Sequence, residues 1–250
     1  MRNKIINALK QLEKEHNIEI LLACETGSRA WGFPSPDSDY DVRFIYVHKP
    51  EWYLSLNEKK DSIDLMMEDR LIDLSGWELR KTLRLLAKSN VSVLERMQSE
   101  IVYLGKPDFQ EELQEIARKC FSPIVTMHHY LSMSKSFYER IVDQNEVRLK
   151  DYFYALRTAV AGKWVREKNA IPPLQFTEMY DLLDKALCEK LEELITLKGE
   201  KEEAYRHLAD KEINAFLKDT IRANEAVSQK LPSGHPDWEQ LDQFFRRWIR

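Results

Sequence analysis

The chain has 250 residues, of which 43% are apolar and 32% charged, and its net charge at neutral pH is −4. This balance excludes an intrinsically disordered chain and a strongly basic nucleic-acid coat, and the length allows one large domain or two modest ones. Cys24, Cys120 and Cys188 lie too far apart for a zinc-binding pattern and are expected as buried thiols in a reducing cytoplasm. The first residues lack the apolar core of a signal peptide, and no apolar run approaches the roughly 20 residues of a membrane span, so no membrane contact is expected.

Ile5, Leu9 and Leu12 recur at helical spacing, which predicts an amphipathic helix over 2–16 ending at Asn17. Ile18 to Cys24 reads as a buried strand. Residues 29–38, with Gly32, Pro34 and Pro36, read as a turn-rich loop with a short helix at Arg29-Ala30-Trp31. Asp39 to Val47 is the second strand, followed by a short helix at 52–56. Further strands are expected at Ser62–Met67 and Leu71–Leu74, with a turn at Glu68-Asp69-Arg70 between them. Ser75 and Glu78 form a capping box for a helix through Leu79, Leu83 and Leu86, and Ser92 and Glu95 form a second one. Ile101 to Leu104 adds an edge strand.

Beyond Pro107 the pattern changes to successive helices, expected at 108–120, 123–143, 146–168, 177–198, 201–230 and 237–249. The fold class is therefore α+β: a mixed sheet with flanking helices over 1–106 and an all-helical domain over 107–250. Phe244, Phe245 and Trp248 in the last helix are expected to pack inward.

The chemistry concentrates between Ala23 and Val47. Gly27-Ser28 forms a small-residue turn, ten residues follow, and Asp39 and Asp41 then lead into an apolar strand. Residues two apart on a strand share a face, so both carboxylates point at one place. Hard oxygen ligands beside exposed backbone N–H groups suit a divalent metal carrying a phosphate chain. Pro-Asp-Ser-Asp is also ordinary turn chemistry, but a bare carboxylate inside an apolar strand is costly. The residues read as a metal-dependent nucleotidyltransferase.

Gly27-Ser28 followed by Asp39-Tyr40-Asp41 resembles the signature of DNA polymerase β-like nucleotidyltransferases. The string from Gly27 to Val47, together with Leu74–Lys81, Lys88-Ser89-Asn90, Leu94-Glu95 and Arg148–Arg157, is similar to the RlaP branch associated with RNA repair. The resemblance implies a small mixed polymerase β-like sheet flanked by helices, an appended helical bundle, Mg²⁺ (or Mn²⁺) and a nucleoside triphosphate. It makes Asp39 and Asp41 the metal-binding and catalytic pair and calls for a third carboxylate in an apolar-Asp-apolar setting. Asp73 and Asp64 both fit. Asp73 is favoured, because it precedes a helix already capped by Ser75; Asp64 is the alternative.

Gly27 and Ser28 are candidates for the phosphate tail. Arg29 either joins them or forms a surface salt bridge. Lys150, Tyr154 and Arg157 share one helical face and form a candidate nucleotide-binding stripe, with core packing as the competing reading. His128 and His129, adjacent on a helix, point about 100° apart and make a poor metal pair. The expected activity is transfer of a nucleoside monophosphate to a hydroxyl, with an RNA end as leading acceptor and proteins or small molecules as rivals. The competing function is a non-catalytic nucleotide-binding or antitoxin-like regulatory module.

Overall fold

The computed structural model describes residues 1–67 and 70–250. In chain order the elements are α1 (Arg2–His16), β1 (Ile18–Thr26), α2 (Gly27–Trp31), β2 (Tyr40–His48), α3 (Pro50–Tyr53), β3 (Ser62–Met67), β4 (Ile72–Glu78), α4 (Leu79–Leu86), α5 (Val91–Arg96), β5 (Val102–Gly105) and α6 (Pro107–Cys120). They continue with α7 (Pro123–Glu139), β6 (Glu146–Arg148), α8 (Leu149–Lys168), α9 (Lys185–Glu200), β7 (Arg206–Leu208), α10 (Lys211–Val227) and α11 (Trp238–Trp248). Residues 68 and 69 of the expected Glu68-Asp69-Arg70 turn lie outside the described residues.

The chain forms two compact units. The first comprises residues 1–30, 39–120 and 235–250, and the second comprises 31–38 and 121–234. The expected division cuts the chain once, at 106/107. Here α6 and the C-terminal α11 belong to the sheet unit: Gln110 and Gln114 of α6 donate to the Met97 carbonyl oxygen at 2.9 and 2.7 Å, and α11 packs Phe245 against Tyr53 of α3 and Phe244 and Trp248 against Phe109 of α6, with ring centroids 5.3, 5.5 and 5.1 Å apart.

In the sheet unit, strands follow the order β3-β4-β2-β1-β5. β2 and β4 run parallel and the other neighbours antiparallel, so the sheet is mixed and the architecture is α+β. Ile5, Leu9 and Leu12 of α1 are buried against Val42, Phe44 and Tyr46 of β2. Asn17 ends α1 in the left-handed conformation, φ 51°, which asparagine tolerates better than most residues. Close packing of β2 on β4 needs Gly76, where a Cβ would meet the Phe44 ring at 2.1 Å.

Both expected capping boxes are corrected. Ser75 lies inside β4, which continues to Glu78, and Glu78 is itself the cap of α4. Glu78 Oε2 accepts from the Arg80 and Lys81 N–H groups at 2.7 and 3.3 Å, while Oε1 accepts from Tyr53 Oη at 2.7 Å. The alternating burial of 72–78 carries the strand past the serine. Asn90, not Ser92, caps α5, accepting from Val93 N–H at 3.3 Å. Because Glu78 is buried and caps a helix, Glu78→Ala is expected to destabilise the protein by about 1–2 kcal/mol in urea denaturation, and Glu78→Gln by less.

The second unit is mainly helical. The expected helices over 146–168 and 201–230 each begin later than predicted, because Glu146–Arg148 and Arg206–Leu208 pair as a short antiparallel ribbon. Three-residue strands are too short to show alternation. Residues 176–182 form a 3₁₀ segment before α9. Buried Phe33, Phe153 and Phe176 pack together in the core of this unit. Among the described residues, no helix is long and apolar enough to cross a membrane.

Candidate active site

β1 ends at Thr26 and delivers Gly27, whose φ of +65° is left-handed and suits a residue without a side chain. A Cβ on Gly27 would lie 2.3 Å from Asp41 Oδ2, so the glycine makes the space that the carboxylate occupies. Thr26, Asp41 and Asp73 stand opposite one another across β1, β2 and β4. The parallel pairing of β2 with β4 therefore places two acids from separate strands side by side on one face.

A guanidinium joins them. One nitrogen of Arg43, Nη2, donates to Asp41 Oδ1 at 2.9 Å and to Asp73 Oδ2 at 2.8 Å. Nη1 donates to the Val42 and Asp73 carbonyl oxygens at 3.2 and 3.1 Å. All three side chains are roughly three-quarters buried or more, which strengthens their interaction relative to a solvated pair. Arg43 is two residues beyond Asp41 and so shares its face, a spacing visible in the sequence but not used there.

A second group missed in the sequence is Glu25. It is fully buried; Oε1 accepts from the Asp41 N–H at 2.8 Å and Oε2 accepts from Tyr103 Oη. Thr26 Oγ1 also donates to the Asp41 carbonyl oxygen, at 2.9 Å. The backbone of Asp41 is thus fixed on both sides. Burial pushes the Glu25 carboxyl above its usual value, against the opposing effect of its hydrogen bonds. In the window between its unfolded and folded values the native state binds more protons than the unfolded one, so stability falls as pH rises. Glu25→Gln is expected to flatten that part of the stability profile, measured by urea denaturation from pH 4 upwards.

Asp39 is exposed and precedes β2; its backbone oxygen accepts from Arg29 Nε at 3.0 Å. The Arg29 guanidinium also lies 4.0 Å from the Tyr40 ring centroid. Ser28 is buried in α2. Asp64 lies on β3 opposite Ser75, one row away from the Asp41–Asp73 row on the same face, and accepts from Ser75 Oγ at 2.7 Å. The structure thus brings together Gly27, Asp41 and Asp73, with Asp39 at the strand entry and Asp64 a row away.

Among the described residues, no three His, Cys, Asp or Glu side chains form a group able to hold a metal. Asp41 and Asp73 are the residues here that could contribute to holding a divalent cation. Asp41 and Asp73 are hard oxygen donors, they already converge on one cationic group, and the Gly27 cradle leaves Asp41 Oδ2 room.

In the helical unit, Lys150 and Tyr154 line an open cavity of ≈ 580 Å³ together with Phe137, Arg140 and Arg148. Lys150 Nζ pairs with Glu203 Oε2 at 2.7 Å and lies 5.8 Å from the Tyr154 ring centroid. Arg157 does not join that lining. It is buried, its Nε and Nη2 donate to the Leu174 carbonyl oxygen at 3.3 and 3.1 Å, and its guanidinium lies 4.4 Å from the Trp31 ring centroid. The helical stripe divides at Tyr154 into a cavity wall and a core contact.

The family model for RlaP, the RNA repair pathway DNA polymerase beta family, matches residues 1–247, and the chain belongs to this family. It is 39% identical over 239 residues to YcgL of Bacillus subtilis (strain 168), a protein described as uncharacterized; the match covers 95% of this chain and 92% of YcgL. It is also 24% identical over 132 residues to the Drosophila melanogaster tRNA (34-2'-O)-methyltransferase regulator WDR6, covering 52% of this chain and 12% of that one. A crystal structure of a nucleotidyltransferase-like protein from Exiguobacterium sibiricum 255-15 aligns with 90% of this chain and 75% of its own, at 13% identity and a TM-score of 0.33.

Proposed function

We propose that the protein is a divalent-metal-dependent nucleotidyltransferase that moves a nucleoside monophosphate from a nucleoside triphosphate to a hydroxyl acceptor, with an RNA end as the acceptor. The observation that carries this reading is the convergence of Asp41 and Asp73 beside the Gly27 cradle. The RNA acceptor rests on the family's description as an RNA repair pathway family. The buried free thiols Cys24 and Cys120 suit a reducing cytoplasm, the compartment proposed here; burial pushes the Cys24 thiol up to about 12, so it is not a reactive thiolate.

In this reading Asp41 and Asp73, with Asp39, would hold Mg²⁺ or Mn²⁺, which would supply charge neutralisation at the phosphates. Gly27 and Ser28 present backbone N–H groups and a hydroxyl to the triphosphate, and Arg29 adds a cation. Asp73 accepts the proton of the attacking hydroxyl at a carboxylate oxygen. The hydroxyl oxygen bonds to the α-phosphorus, the bond from that phosphorus to the bridging oxygen breaks, and pyrophosphate leaves. Positioning and charge neutralisation carry most of such a reaction. Lys150 and Tyr154 are proposed as nucleotide contacts in the cavity of the helical unit. Arg157 acts in this reading through the packing of that unit.

The test is incubation with each of the four α-labelled nucleoside triphosphates, Mg²⁺ or Mn²⁺, and total RNA. Label is expected on RNA and is expected to be lost in Asp41→Asn. Label on protein or a small molecule would replace the acceptor while keeping the reaction class. Absence of label under every condition, with nucleotide binding retained, would favour the regulatory module; the Arg43 guanidinium already neutralising both acids is the observation on that side.

A further inference from the structure

A second set of groups with ligand chemistry lies in the sheet unit, away from the acidic pair. Tyr46 and His48 alternate with Asp41 and Arg43 along β2, so they project from the other face, the one covered by α1. Two cavities of ≈ 410 and ≈ 400 Å³ share His16, His48, Trp52 and Lys59 and form one groove. The first continues to Lys49, and the second to Lys60 and Tyr46.

Three features of this groove are unexplained by packing alone. The Tyr46 side chain is fully buried in its wall, and its hydroxyl has no hydrogen-bond partner among the described residues. A buried polar group without a partner is uncommon in a folded protein and calls for an explanation. The His48 and Trp52 rings stack, 4.2 Å apart and 7° from parallel. Lys49, Lys59 and Lys60 make no ion pair among the described residues, and Lys59 Nζ lies 5.6 Å from the Trp52 ring centroid. Glu15, Glu51 and Asp64 also line the groove. Of these, Glu15 accepts from the Gln11 amide and Asp64 from Ser75, while Glu51 lines only the cavity that continues to Lys49 and not the one that reaches Lys60. Burial, with Lys59 and His16 nearby, lowers the His48 imidazole to about 4, which leaves a neutral ring at physiological pH.

Flat rings, ammonium groups without an ion pair among the described residues, and a buried hydroxyl together match one ligand chemistry: a base to stack, a phosphate to neutralise, and an acceptor for the hydroxyl proton. We propose that this groove is a second nucleotide-binding site, taking a nucleoside phosphate either within a single strand or free, with the base at His48 and Trp52 and the phosphate at Lys59 and Lys60. It is separate from the Asp41–Asp73 pair and does not depend on the transfer reaction.

The test uses the full chain with a fluorescein-labelled 12-residue oligouridylate, followed by anisotropy, and with AMP, followed by equilibrium dialysis. Lys59 and Lys60 are exposed, so Lys59→Glu with Lys60→Glu leaves the core intact. This double variant is expected to weaken binding at least about tenfold and to reduce the slope of log K against log salt by about 1.4. Trp52→Ala is expected to weaken binding about tenfold through lost stacking. The matched reversal Lys211→Glu with Lys218→Glu, on α10, controls for net charge. Loss of oligonucleotide binding with AMP unbound throughout assigns the groove to a strand, and loss of AMP binding assigns it to free nucleotide. No binding of either probe, or equal weakening by the α10 reversal, overturns the proposal.

Discussion

Gly27→Val is expected to lower nucleotidyl transfer about 100-fold while the protein remains folded. Two effects combine. Gly27 has φ +65°, a conformation that costs a residue with a Cβ about 1–2 kcal/mol and a β-branched residue more. Its new Cβ would also lie 2.3 Å from Asp41 Oδ2, so either the turn or the carboxylate must move. Asp41 is held by backbone bonds to Glu25 and Thr26, which leaves side-chain rotation as its main escape. Rotation takes the carboxylate away from Arg43 and Asp73. A displacement near 1 Å at a reacting centre is enough for a loss of this size. Thermal melting should fall by only a few degrees. Steady-state transfer of α-labelled nucleotide, at matched amounts of folded protein, checks the prediction. Near-normal transfer would mean that the position of Asp41 does not matter to the reaction.

Removing Arg43 has the second large effect, and here stability is the readout. Arg43→Ala leaves Asp41 and Asp73 facing each other without their shared cation. Deleting one partner of a largely buried ionic cluster costs several kcal/mol; the partial exposure of this one, with side chains 20–27% accessible, reduces the expected loss to about 2 kcal/mol. The added change Asp73→Asn should recover much of that loss, because it removes one of the two repelling charges. Millimolar Mg²⁺ should stabilise Arg43→Ala more than the parent protein, by binding the native acids. Urea denaturation of the single and double variants, with and without Mg²⁺, measures all of this. Equal responses of parent and variant to Mg²⁺ would separate Arg43 from the metal-binding reading.

The legible parts of the fold were those with local signatures. Helix α1 announces itself through Ile5, Leu9 and Leu12, and β2 through its apolar run. Asp41 was legible because a carboxylate inside that run is costly without a purpose. The Asp73 setting was visible too, although its neighbour Asp64 matched the same pattern. Only the parallel register puts Asp73 directly beside Asp41. What stayed hidden depends on long-range partners. Glu25 finds Tyr103, 78 residues away, and nothing local marks it as buried. Glu78 sits at the right position for a capping box but serves as the cap itself, since the strand runs three residues beyond Ser75. Arg157 shares a helical face with Lys150 and Tyr154, yet its environment is set by Trp31 and Leu174, which periodicity along α8 does not report. The β6–β7 ribbon pairs segments some 60 residues apart and is too short to alternate visibly.

The pairing of Asp41 with Asp73 is the centre of the account, and one comparison addresses it directly. Asp73→Asn and Asp64→Asn should be assayed side by side for transfer from α-labelled nucleoside triphosphate. Both are single-atom-scale changes, but Asp73 is half-buried and paired with Arg43 whereas Asp64 is exposed, so transfer is compared at matched amounts of folded protein. Asp73→Asn is expected to lower transfer at least about 1000-fold, the scale seen when a group stabilising transition-state charge is lost, while Asp64→Asn keeps it within about threefold of the parent. Loss of transfer in Asp64→Asn with retention in Asp73→Asn would contradict the account.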